Sequence, residues 1–162
     1  MIRILALLLV LTTTGCGLRP LYAGGGAGNV ATALRGVSVR PIEGRTGWLM
    51  QGALADRLQA GGEPRYRLEV ELDDQLAGFG VRRDDAVTRE RRTLRARYRL
   101  VELAQGTVVL DATAGSDAGI DVVGSDYATI AAENTAIERL TGIVADQIVA
   151  RIALYASRTG TQ

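Results

Sequence analysis

Histidine and lysine are both absent from the 162 residues, and cysteine occurs once. Without them no Ser–His–Asp triad, Ser–Lys dyad, lysine Schiff base or imidazole-ligated metal site can be built. A single cysteine also excludes an internal disulfide framework and a thiolate metal cluster. Aromatic residues are scarce, with five Tyr, one Trp and one Phe, a poor set of sugar-stacking platforms. The formal net charge of +1 lacks the basic excess that a nucleic-acid binder normally carries. Phosphate-cradling glycine motifs are missing too, since Gly24-Gly25-Gly26 precedes no strand-to-helix unit of the right kind. Carboxylates remain, and Asp73-Asp74 and Asp84-Asp85 are the visible pairs. Adjacent strand residues point to opposite faces, so both pairs read as turn or solvated residues rather than an acid/base couple. No enzyme, cofactor or metal site is expected.

What is present begins at the N-terminus. Arg3 supplies a positive charge, Ile4 to Leu11 is an unbroken apolar run, and Thr12-Thr13-Thr14-Gly15 follows with small residues. That is the grammar of a secretory signal peptide, in a run too short to span a bilayer. Cys16 comes directly after it, in the manner of the lipobox of bacterial lipoproteins, although Thr13 stands where Leu is usual. A free thiol left in an oxidising compartment would be a liability, so Cys16 is expected to carry lipid. Gly17, rather than Asp, points by the lipoprotein sorting rule to the outer membrane. The expected organisation is a signal peptide over 1–15, a lipidated flexible tether over 16–32, a single domain over 33–157 and a disordered tail over 158–162.

Within the domain the periodicities alternate. Val37 and Val39 form a short strand stopped by Pro41. Met50, Leu54 and Leu58 recur at helical spacing over about 46–59, with Thr46 as candidate cap and Gly61-Gly62 as terminator. Tyr66, Leu68, Val70 and Leu72 alternate with Arg67, Glu69, Glu71 and Asp73, a strand with one wet face. A second such strand, about 91–103, sets Leu94, Ala96, Tyr98 and Leu100 against Arg95, Arg97 and Arg99. Gln105-Gly106 turns into a third, with Val108, Leu110 and Ala112 expected inward. Antiparallel pairing of the first two would bring Glu69 and Glu71 near the arginines. A helix from about 125 to 155, capped by Ser125 or Asp126, carries Ile130, Ile137, Leu140, Val144, Ile148 and Ile152 on one stripe. The expected fold is α+β, with two helices packed on one face of a small four-stranded mixed sheet in a two-layer sandwich.

Charge is segregated. Between Arg82 and Arg99 stand eight Arg and three acids, whereas Leu100 to Glu138 holds seven acids and no Arg. Arg82, Arg83, Arg89, Arg91 and Arg92 are expected on a loop around Gly78-Phe79-Gly80, where guanidinium forks could meet phosphates. A solvated loop held by Asp84, Asp85 and Glu90 is an equal reading from spacing alone.

Cys16-Gly17-Leu18-Arg19-Pro20-Leu21-Tyr22 resembles the mature start of LptE-family lipoproteins in their alphaproteobacterial form. Further segments follow in the family's order: Arg45-Thr46-Gly47, Leu54-Ala55-Asp56-Arg57-Leu58, Tyr66-Arg67-Leu68-Glu69-Val70, Thr88-Arg89-Glu90-Arg91-Arg92, Tyr98-Arg99-Leu100, Ser125-Asp126-Tyr127-Ala128 and Ala145-Asp146-Gln147-Ile148. Trp48 replaces the family's usual Gln after the first-helix Gly. The resemblance implies a plug for an LptD-like β-barrel on the periplasmic leaflet of the outer membrane, delivering lipopolysaccharide without chemistry or cofactor. It also implies lipopolysaccharide contacts at Arg82, Arg83, Arg89, Arg91 and Arg92. The runner-up is an accessory lipoprotein of a phospholipid-trafficking transporter; a carboxylate-dependent hydrolase stands behind both. Replacing the thiol tests the anchor: Cys16→Ala is expected to abolish incorporation of labelled fatty acid, and undiminished labelling would remove the lipid assignment.

Overall fold

The computed structural model describes residues 28–81, 87–122 and 124–159, with backbone only at 80, 81, 87 and 88. Residues 1–15, Cys16, Arg82, Arg83, Asp84 and Asp85 lie outside the described residues. The elements run α1 (Asn29–Arg35), β1 (Val37–Val39), α2 (Gly44–Leu58), β2 (Tyr66–Val81), β3 (Val87–Glu102), β4 (Thr107–Asp121) and α3 (Asp126–Thr159). The sheet order is β1-β2-β3-β4. β1 is parallel to β2 and the other pairs are antiparallel, which makes the sheet mixed, as the sequence pattern implied. Helices are three rather than two: α1 is a short addition that buries Leu34, with too few periodic residues to announce itself.

The strands are longer than their alternating segments suggested. β2 and β3 have 16 residues each, about 53 Å at roughly 3.3 Å per residue. α3 has 34 residues, about 51 Å at 1.5 Å per residue. Helix and sheet therefore match in length. Ile137, Leu140, Val144, Ile148 and Ile152 of α3 are fully or almost fully buried, as are Leu68, Leu94, Ala96, Tyr98 and Leu100 from the strands. Burial of each large aliphatic side chain is worth roughly 1.5–3 kcal/mol. α3 is long and apolar enough to cross a bilayer, but half of its apolar window is buried inside the fold, which identifies a core helix. Ile130 of the expected stripe is exposed, because the core begins at Ala136.

α2 buries the expected stripe of Met50, Leu54 and Leu58. Its ends differ from the sequence reading. The helix starts at Gly44 with Glu43 as N-cap and no side-chain cap bond, and the Thr46 hydroxyl is used elsewhere. Gln59, at φ 48, takes the left-handed position and its N–H meets the Ala55 carbonyl at 3.0 Å, so the helix stops before Gly61-Gly62. Gly106, at φ 67, makes the expected turn into β4. Three residues later the phase slips, since Leu100 pairs with Leu110 but Val101 pairs with Val108. Val109 is the extra residue of a bulge, which turns Val108 outward to 52% exposure.

Gly47 marks the tightest helix contact. A Cβ there would sit 2.6 Å from the Ile42 carbonyl oxygen and 2.8 Å from its carbon, whereas one at Gly52 would meet nothing within 4 Å. Gly47→Ala is expected to cost about 1–3 kcal/mol through overpacking. Gly52→Ala should stabilise by about 0.5–1 kcal/mol through helix propensity. Urea midpoints of the two variants check this; a neutral Gly47→Ala would mean that the 40–43 connection yields freely.

Candidate functional site

Arg89, Arg91 and Arg92 lie on a strand, not on a loop, while Arg82 and Arg83 are outside the described residues. β3 continues through Arg89, Arg91 and Arg92 in register with β2 as far as Val87↔Val81. Alternation then separates the candidates, because successive strand residues face opposite sides. Arg89 and Arg91 share the wet face with Arg95, Arg97 and Arg99. Arg92 falls on the helix face beside Glu90, in phase with Leu94 and Ala96.

Arg92 is held from several sides. Its Nε and Nη2 donate to Asp74 Oδ1 and Oδ2 at 2.9 and 2.7 Å, a bidentate pair, and its Nη1 donates to the Glu133 carbonyl of α3 at 3.2 Å. Thr46, the third residue of α2 and so past the cap position, donates its hydroxyl to Asp74 Oδ2 at 2.8 Å. Next to Thr46 in the chain, Arg45 Nη1 donates to Asn134 Oδ1 at 2.9 Å. The pair thus joins β2, β3 and both long helices where the apolar core gives out. Its side chains keep only 15% and 18% of their surface exposed. The hydrogen bonds from Arg92 outweigh the cost of burial and hold the Asp74 carboxyl below its ordinary value of 3.8, with help from Thr46. Neighbouring Glu90 keeps Oε2 buried without a hydrogen-bond partner among the described residues.

On the wet face, Arg91 stacks over the Phe79 ring at 5.3 Å. Arg89 Nε lies 3.1 Å from Asp121 Oδ1, both side chains largely exposed. Toward the other end of the sheet the cations are neutralised. Arg97 pairs with Asp111 at 3.1 Å, and Arg99 with Glu69 and Glu71 at 3.5 and 3.6 Å. Such exposed pairs are worth about 0.2–1 kcal/mol each and serve register more than stability. Arg95 lies across Gly115, where an added Cβ would meet its Cδ and Nη1 at 2.7 Å.

The structure therefore brings Arg89 and Arg91 together beside an exposed aromatic ring and sends Arg92 into a structural pair. Spacing alone missed Asp74, Thr46 and Arg45. The signal was available in the parity of residues 74 and 92, which both fall in phase with the buried alternation. Asp73, as expected of its neighbour, faces the opposite way and accepts hydrogen bonds from the Gln75 amide at 3.1 and 3.2 Å. Among the described residues no group of three or more acidic, His or Cys side chains could hold a metal.

A family model described as LptE, lipopolysaccharide-assembly, matches residues 34–152. Among curated proteins, none matches the sequence significantly. Among solved structures, a protein from Caulobacter crescentus CB15 described as a lipoprotein superposes with a TM-score of 0.69 at 25% identity, covering 82% of this chain and 98% of that one. A minor lipoprotein from Acinetobacter baumannii gives 0.55 at 13% identity, covering 73% and 88%. Rare lipoprotein B from Shewanella oneidensis gives 0.53 at 10%, covering 77% and 94%. At such identities the last two are similar in fold alone.

A carboxylate held below its ordinary value contributes stability that is complete above about pH 4 and lost as the pH falls through its folded-state value. Asp74→Asn is expected to cost about 1.5–3 kcal/mol at pH 7, the usual worth of hydrogen bonds to a charged group. The difference from the unaltered protein should narrow below pH 4. Urea unfolding at pH 7 and near pH 3 measures it; a penalty that does not change with pH would show that the ionised pair is not its source.

Proposed function

This chain belongs to the LptE lipopolysaccharide-assembly family, and we propose that it works there as a non-catalytic lipoprotein paired with an LptD-like β-barrel of the outer membrane. In this reading residues 1–15 are a signal peptide removed on export and Cys16 carries the lipid. The stretch between Cys16 and α1 tethers the domain to the periplasmic leaflet, and the residues from α1 to the end of α3 form the working domain. The observation that carries the reading is the family match over residues 34–152, which spans all four strands and most of α3. The likeness to the Caulobacter lipoprotein, at 25% identity over nearly the whole of that chain, supports it.

The distal end of the sheet is the proposed lipopolysaccharide contact. Arg89 and Arg91 stand on its wet face, and Arg82 and Arg83 precede them in the chain. Guanidinium forks suit phosphate groups. Phe79 beneath Arg91 sets apolar surface against that charge, a combination suited to a ligand with phosphates and acyl chains. Arg92 positions this end of the sheet through Asp74 and does not face the ligand. A partner-bound role also fits the exposed Trp48, Tyr127 and Ile130, which are 73%, 84% and 55% exposed and leave apolar surface uncovered.

Purification of the full lipidated chain in mild detergent tests the reading. A large outer-membrane β-barrel is expected to co-purify, and lipopolysaccharide is expected to bind with an affinity that falls as salt rises. The double variant Arg89→Ala/Arg91→Ala should lose roughly tenfold in that affinity, the worth of about one charge-assisted contact, while keeping the barrel. A protein that purifies alone under these conditions overturns the partner assignment, and unchanged binding by the double variant overturns the arginine assignment.

A further inference from the structure

The sheet has an uneven charge plan. β3 carries Arg89, Arg91, Arg92, Arg95, Arg97 and Arg99, all in the centre. β2 beyond Arg67 holds Glu69, Glu71, Asp73 and Asp74 with no cation, and β4 holds Asp111, Asp117 and Asp121 with none. The two margins are thus acidic. They are not equally covered. On the β4 margin, Gln147 of α3 accepts from the Gly115 N–H at 3.1 Å and donates to its carbonyl at 3.3 Å, so the helix shields that edge at its middle.

On the β2 margin, β1 pairs only with Tyr66–Leu68, and the Arg40 N–H extends the row by one bond to the Leu68 carbonyl at 2.9 Å. The backbone groups of even-numbered residues face that side, as the Leu68 carbonyl does, while odd-numbered ones turn toward β3. Register with β3 runs unbroken from Tyr66 to Phe79, so the same parity holds at Leu72, Asp74, Leu76 and Gly78. Among the described residues nothing takes the backbone N–H and carbonyl groups of these four. The stretch contains no Pro, no Lys and no bulge, and its inward charge, Asp74, is taken up by Arg92, so most of the devices that ordinarily protect an edge are missing. It is about 20 Å long at roughly 3.3 Å per residue.

We propose that this open edge, Leu72 to Gly78, docks an extended, cation-bearing segment of a different protein as an added strand. Hydrogen bonds to the even-numbered backbone groups supply the attachment. Charge selects the occupant. A second copy of this chain would add either β2, which holds no cation beyond Arg67, or β4, which holds none, so it offers no cation to Glu71 and Asp73 and brings more carboxylates to an acidic margin. A segment with Arg or Lys at alternate positions meets Glu71 and Asp73 on the wet face instead. Among the described residues Asp73 is exposed, accepts from the Gln75 amide and forms no ion pair, the Arg95 opposite it in β3 lying across Gly115 instead, which leaves its charge available. The proposal does not rest on the identity of the barrel or on the lipopolysaccharide contact, and either can fail without the other.

The test uses the full chain in detergent and two synthetic peptides of equal length, one alternating Arg with Val and one alternating Glu with Val. Amide hydrogen exchange is followed residue by residue. The Arg peptide is expected to slow exchange at Leu72, Asp74, Leu76 and Gly78, leaving β4 and the odd-numbered β2 amides unchanged, while the Glu peptide does not. Leu76→Pro removes one outward N–H without touching a β2–β3 bond, and should weaken binding roughly tenfold, the worth of about one hydrogen bond. Should that variant fail to fold, Asp73→Arg decides the matter, since it should shift the preference toward the Glu peptide. Equal protection by both peptides, protection of β4 instead, no protection by the Arg peptide, or an unaltered preference in Asp73→Arg overturns the proposal.

Discussion

A sheet of strands some fifty ångströms long has one apolar face, and water must be kept from all of it. α3 does this because it is equally long and carries Ile137, Leu140, Val144, Ile148 and Ile152 along a single stripe. Everything else is arranged around that contact. α2 fills the remaining width with Met50, Leu54 and Leu58, and an exposed Arg57–Asp146 pair at 2.6 Å joins the two helices at their rim. Where the apolar stripe ends, at the first turns of α3, burial can no longer hold the layers together. The Arg92–Asp74 pair, with Thr46 and the Glu133 carbonyl, takes over there. Directional bonds replace area at the point where area runs out.

The same strand that builds the core also carries the charge. In β3, Leu94, Ala96, Tyr98 and Leu100 face the helices while Arg95, Arg97 and Arg99 face water. A central strand has neighbours on both sides, so its cations can be matched by carboxylates from either. That matching holds at Arg97 and Arg99. Toward the distal end it thins, because β2 offers Ala77 and Phe79 there in place of acids. There Arg89 is matched by Asp121 of β4 alone, and Arg91, with no ion pair among the described residues, lies over the Phe79 ring.

Much of this was legible in the sequence. Period-two alternation located β2 and β3, helical spacing located α2 and α3, and the pairing of Glu69 and Glu71 with the arginines followed from an antiparallel register. What stayed hidden has physical reasons. α1 is seven residues with a single buried side chain, too short for a periodic signal. The bulge at Val109 reverses the phase of a strand without changing its composition. Thr46 looked like a cap because capping is local, whereas its bond to Asp74 spans 28 positions. Glycines around Phe79 suggested a loop, although Gly78 and Gly80 sit within a strand whose ladder tolerates them.

The parity of one residue matters most for function. A run such as Arg89-Glu90-Arg91-Arg92 has a single meaning on a loop, where every guanidinium can turn to the same ligand. On a strand it has two, and the chain uses both. Odd positions present cations to solvent beside Phe79, and the even position locks the sheet to its helices through Asp74. Arg92 ties the strands to α2 and α3 on one face through Asp74, Thr46 and the Glu133 carbonyl, while Arg89 and Arg91 stay on the face left to water, and side chains carried on a held strand lose less freedom when a ligand meets them.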